Sequence, residues 1–108
     1  MTDLSSLSKH VVDIFKATVE YNDYITLLEK IKQSGDLYER VKEFRRKSFL
    51  IQQEDSDDLL DLLDALTNEY DDVINQELVN EFIEAEAAFC RLIQDFNANV
   101  TEELEFDI

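Results

Sequence analysis

Apolar residues recur along this chain at spacings of three and four, while strand-like alternation nowhere extends beyond a few residues. That pattern predicts an all-α protein, an antiparallel helical bundle of about five helices. The first helix is expected from about Asp3 to Glu20, with Leu4, Leu7, Val11, Ile14 and Phe15 on one stripe. Asn22 is expected to cap the second, its side-chain oxygen accepting from a free backbone N–H and Asp23 sitting well at the positive end of the helix dipole. Tyr24, Ile25, Leu28 and Ile31 form its stripe, and Ser34-Gly35 ends it, since glycine adopts the left-handed turn that closes a helix. Asp36 is expected to cap a third helix with Leu37, Val41, Phe44, Ser48 and Ile51 on one face. Ser56, followed by Asp57 and Asp58 in the first turn, is expected to cap a fourth, whose stripe is Leu59, Leu63, Leu66, Tyr70 and Val73.

Asn75 is expected to cap a fifth helix that reaches about Leu104. Here Val79, Glu86, Ile93 and Val100 recur every seven residues, and so do Phe82, Phe89 and Phe96, which makes a heptad seam. Leu78, Ala85 and Leu92 widen it on one side, Ile83 and Cys90 on the other. A helix of ~29 residues is ~43 Å long, more than a small domain readily covers. Self-association through Val79, Phe82, Phe89, Ile93 and Phe96, as a dimer or higher oligomer, is therefore expected.

With 108 residues, 44% of them apolar, the chain is expected to be one domain, residues 1–108, with a moderate core. One glycine and no proline leave little material for tight turns. A single cysteine excludes an internal disulfide and points to a reducing compartment. Met1 is not followed by a cationic segment and an apolar run, and no apolar stretch approaches ~18 residues, so a cytoplasmic location is expected.

The formal charge of −16 is distributed unevenly. Residues 1–47 hold nine basic and eight acidic groups, a net +1, whereas residues 48–108 hold Arg91 and eighteen acids, a net −17. Such a field repels nucleic acid and anionic membrane, and neither is expected as a partner. Half of the cations, Arg40, Lys42, Arg45, Arg46 and Lys47, lie within eight positions. Two readings are open for them. They could meet phosphate or an acidic partner, or they could be internal, offset at the following turn by Glu54, Asp55, Asp57, Asp58 and Asp61. The internal reading is the one the short connection favours, although exposed pairs contribute only ~0–1 kcal/mol each.

Catalytic chemistry finds little to use. His10 is the only histidine and has no spaced carboxylate to orient it. Glu81, Glu84 and Glu86 cluster without the Glu-x-x-His pairs of a di-metal bundle, so neither an enzyme nor a metal site is expected. Cys90, beside the seam, reads as a buried small apolar side chain. Glu86 falls among phenylalanines on the seam; a buried lone carboxylate is costly, which makes Arg45 and Arg46 its natural partners.

The segments YNDYITLLEKIKQSGDLYERVKEFRRKSFLIQ and INQELVNEFIEAEAAFCRLIQDF resemble the YlbF/YmcA family of small helical bacterial regulators. The matching features are an early helix leading into Tyr21–Tyr24, Asp36-Leu37 before a helix bearing Phe44, Asn75, Val79, Glu81-Phe82, Ala85-Glu86 and Leu92-Ile93, over about residues 4 to 104. The resemblance implies an all-helical oligomer without catalytic activity. It further implies a role in a complex modulating RNase Y-dependent RNA maturation and, through it, competence, sporulation and biofilm formation. Related family members and RNase Y are the implied partners. Some relatives bind iron–sulfur clusters through cysteines of a C-terminal extension; this chain closes on TEELEFDI without them, and no cofactor is expected. The alternative reading is a structural, self-assembling helical protein with no part in RNA decay.

Overall fold

A computed structural model describes residues 3–54 and 56–105. Asp55, one of the turn acids, and the last three residues of TEELEFDI lie outside the described residues. The described chain is all α, with six helices: α1 Leu4–Lys16, α2 Val19–Lys32, α3 Leu37–Gln53, α4 Leu59–Glu69, α5 Asp71–Ile74 and α6 Glu77–Glu103.

Several boundaries differ from the expectation, each for a local hydrogen-bonding reason. The first helix stops at Lys16, because the Thr18 hydroxyl donates to the Phe15 carbonyl (2.6 Å) and accepts from the Tyr21 N–H (3.2 Å). Thr18 thus closes one helix and caps the next. Asn22 is no cap; it lies inside α2, with its amide donating to the Thr18 carbonyl at 2.9 Å. At the far end of α2, Gly35 sits at φ +64°, the left-handed turn anticipated there. Asp36 precedes α3 without a side-chain capping bond. Ser56 works two residues ahead of α4, its hydroxyl accepting from the Asp58 N–H and its carbonyl from that of Leu59 (both 3.1 Å).

The expected fourth helix is broken at Tyr70, whose backbone leaves the helical region (φ −106°, ψ 21°) before α5 restarts. Asn75 then ends α5 instead of opening α6: its Nδ2 donates back to the Asp71 carbonyl (3.0 Å) and carboxylate (2.6 Å). The last helix begins at Glu77 and runs 27 residues, about 40 Å at 1.5 Å per residue.

The chain divides into two compact units, one formed by Leu28–Phe82 and one by Met1–Leu27 with Ile83–Ile108. In the central unit, α3 packs against α4 and α5. Residues ascending α3 from Arg40 to Lys47 meet residues descending from Asp72 to Glu69, so α3 and α4 run antiparallel. The core of this unit is Ile31, Leu37, Val41, Leu66, Tyr70, Val73, Val79 and Phe82. In the terminal unit, α1, the start of α2 and most of α6 carry an aromatic cluster of Phe15, Tyr21, Tyr24, Phe89 and Phe96. None of its described residues is buried.

Candidate functional site

Both units present surfaces. In the central unit the basic stretch of α3 is organised by Tyr70. That ring is buried where α4 meets α5, and it stacks at a tilt on Phe44, 5.7 Å between centroids. Its hydroxyl donates to Glu43 at 3.2 Å, while the Arg40 guanidinium and the Lys47 ammonium lie 5.4 and 5.1 Å from its ring centre. Cations over an aromatic face are attracted by the ring quadrupole. Arg40 also pairs with Asp72, and Lys47 with Glu69 at 3.5 Å.

The protonation equilibria follow these contacts. The hydrogen bond to Asp72 raises Arg40 above its ordinary value, and the same bond holds the Asp72 carboxyl below the usual carboxylate range. Hydrogen bonding at the Tyr70 side chain, with Glu69 adding its charge, raises Lys47 against the opposing effect of burial. Lys42 pairs with Glu39 (3.1 Å) and shares the Tyr38 ring with Lys32, at 4.6 and 5.5 Å.

These pairs correct the internal reading of the basic cluster. Among the described residues, Arg40 pairs with Asp72, Lys47 with Glu69 and Lys42 with Glu39, none of them an acid of the turn. The antiparallel return of the chain brings Lys47 opposite Glu69 and Arg40 opposite Asp72. Among the described residues, Glu54, Asp57, Asp58 and Asp61 are exposed and have no cation within ion-pair range.

The residues expected to carry function are spread over both units. Arg45 is half-buried with its guanidinium 5.6 Å from the centre of the Phe82 ring, and Arg46 is exposed. Glu86 is half-buried, and neither it nor Arg45 is an isolated charge. Along the heptad seam, Val79 and Phe82 are buried in the single chain, Phe89 and Ile93 are half-buried, and Phe96 is exposed. Cys90 is exposed, which overturns its reading as a buried apolar filler: it lies one position round the helix from Phe89, beyond the covered stripe.

Sequence reasoning missed the terminal groove. Leu4, Leu7, Val11 and Phe15 of α1 face Ile93, Phe96 and Val100 of α6 across an open apolar groove of about 500 Å³. The signal was available in part, since the first-helix stripe was legible, but the stripe does not reveal that it stays uncovered.

His10 is exposed on α1. Among the described residues no group of three or more His, Cys, Asp or Glu is placed to hold a metal ion, and no helix is long and apolar enough to cross a membrane. Exposed apolar grooves and paired surface charges on helices define a helical protein-contact module. The family model for control of the competence regulator ComK, YlbF/YmcA, matches residues 7–105. The chain belongs to the YlbF/YmcA family, whose members are non-catalytic regulators. No curated protein and no solved structure matches it.

Proposed function

We propose that this chain is a non-catalytic cytosolic adaptor acting within a complex that modulates RNase Y-dependent RNA processing. In this reading it self-associates as a dimer or higher oligomer and takes related family members as further partners. The observation that carries the proposal is the terminal unit: in a chain matched over residues 7–105 to the family for control of the competence regulator ComK, its apolar faces remain open, with none of its described side chains buried. Apolar patches of this kind are what protein–protein interfaces cover. The interface runs over Phe89, Ile93 and Phe96, while Val79 and Phe82, already covered in the single chain, anchor the start of the same helix.

Contacts to protein, not RNA, suit the charge: five cations on one helix act against a net −16, and nucleic-acid affinity depends on phosphates neutralised against the background field. Arg45, Arg46 and Glu86 are the charged residues to test. For a partner role, Arg45→Ala, Arg46→Ala or Glu86→Gln removes co-purification and leaves thermal stability unchanged. For a role in the fold, the melting temperature drops instead.

Affinity purification of the tagged protein from its native host, with partners identified by mass spectrometry, tests the whole reading. Recovery of relatives or of RNase Y supports it. A deletion strain with normal RNase Y-dependent transcript processing, and no relatives in the pull-down, leaves the structural self-assembling protein as the better reading.

A further inference from the structure

A second apolar groove lies in the central unit, between α3 and α4, and its surroundings specify an occupant. Leu50 and Ile51 form one wall and Leu62 and Ala65 the other, over the buried Leu66, enclosing about 360 Å³. Leu50 and Leu62 are 53% and 38% exposed, a large apolar area for two residues that face each other. One end is closed by the Lys47–Glu69 pair, already neutral. The other end opens at the turn.

The walls continue into acids there. Glu54 follows Leu50 by four residues, Asp58 precedes Leu62 by four, and Asp61 precedes Ala65 by four, so helical spacing puts each of them one turn beyond a wall residue. None of the three has a cation in ion-pair range among the described residues. Asp58 and Asp61 also suit the start of α4, where the helix dipole favours negative charge. Glu54 does not have that explanation. It caps the C-terminal end of α3, the end at which a carboxylate is unfavourable. The fold gains nothing from this charge, whereas a cationic ligand would.

We propose that this groove docks a basic amphipathic helix of a partner protein. Two apolar side chains, four residues apart, fill the groove, and Lys or Arg one turn further on meets Glu54, Asp58 and Asp61. The length agrees: the wall from Leu62 to Glu69 spans about 10 Å, close to two helical turns. Helix-in-groove recognition needs this combination of anchors and complementary rim charge. The inference does not depend on RNase Y or on self-association through the terminal unit.

The test uses the full chain and synthetic labelled helical peptides of about 16 residues, with leucines at i and i+4 followed by a turn of either lysines or glutamates. Fluorescence anisotropy is expected to give at least about tenfold tighter binding of the basic peptide, weakening with salt. Leu62→Gln, or Leu50→Gln on the opposite wall should the first variant fail to fold, is expected to weaken it at least about tenfold. The triple variant Glu54→Gln/Asp58→Asn/Asp61→Asn is expected to abolish the preference for the basic peptide. Equal binding of both peptides overturns the proposal, as does basic-peptide binding that survives both leucine variants. A chain that fails to bind either peptide, but is made monomeric by Leu62→Gln, overturns it in favour of a second copy as the occupant.

Discussion

The two units carry the same charge and differ in depth. Residues 28–82 hold seven basic and fifteen acidic residues, and the rest of the chain holds three and eleven, a net −8 in each. Among the described residues, all of the buried side chains nevertheless lie in the central unit. There α3, α4 and α5, with the adjoining parts of α2 and α6, surround Tyr70, Val73 and Phe82. The terminal unit has only α1 and segments of α2 and α6, and few helices cannot enclose a layer of side chains on all sides. Net charge therefore does not decide which region is solid. The number of helices available to close over an apolar stripe does, and an unclosed stripe is available for binding.

The most severe way to break this contrast is to empty the central core. Phe82 is 2% exposed, and Phe82→Ala is expected to cost about 3–5 kcal/mol in urea denaturation. Leu4→Ala, at a site 80% exposed, should stay within about 0.5 kcal/mol when the chain is measured as a monomer. Comparable losses at both sites would show that the terminal unit has a core of its own.

Next in size is the effect of the open face on assembly. Phe96→Glu puts a carboxylate into the groove formed with Leu7, Val11 and Phe15. It should weaken self-association at least about tenfold in sedimentation or light scattering, because central apolar contacts dominate interface energetics. The dilute monomer should lose only the edge-to-face contact with Phe15, about 0.5–1.5 kcal/mol. A chain that is monomeric at high micromolar concentration before any substitution would refute the assembly proposal directly.

Much of the fold was legible because helical periodicity records which face is apolar. The stripes of α3 and α4 were read correctly, as was the covered start of α6 at Val79 and Phe82, whereas Ile83 and Cys90 on its flank are exposed; Gly35 marked its turn. Periodicity does not record what lies opposite. Phe82, Phe89 and Phe96 occupy equivalent heptad positions, yet the first is buried and the last exposed. The capping residues were misread because Asn22, Ser56 and Asn75 each have several local hydrogen-bonding options, and sequence alone does not say which carbonyl or N–H will be in reach. The ion-pair partners depended on register: the antiparallel return of α4 was foreseen, but not that Asp72 and Glu69 would be the residues it delivers. Of the candidate binding surfaces, the residues were visible and their accessibility was not.

Two small side-chain changes separate the units on a finer scale. Tyr70→Phe removes the hydrogen bond to Glu43 while keeping the ring beneath Arg40 and Lys47, and should cost about 0.5–1.5 kcal/mol. Thr18→Ala removes the capping of α2 and should cost about 1 kcal/mol. Hydrogen exchange distinguishes them. The first should raise exchange throughout α3 and α4, the second only near residues 15–22. A global response to Thr18→Ala would mean that the two units unfold as one.

The smallest expected effect is the pH dependence contributed by Arg40 and Asp72. Asp72 has a folded-state value below its unfolded one, so its stabilising contribution is complete above the unfolded value, ~3.9 for aspartate, and is lost as pH falls through the folded one. Arg40 and Lys47 are raised instead. Their contributions are complete below their unfolded values and disappear only as pH climbs through the folded ones, in strong alkali. Acid titration therefore isolates Asp72. Both members of the pair reach solvent, with 31% of the Arg40 side chain and 65% of that of Asp72 exposed, and water and salt screen such a pair. Thermal melts between about pH 5 and 2 should show a slightly shallower acid decline for Asp72→Asn than for the unsubstituted chain, and the difference should vanish in high salt. Parallel acid limbs at low salt would mean that Asp72 marks the register of α3 against α5 without stabilising it, and that the central unit is held by Tyr70 and its apolar neighbours alone.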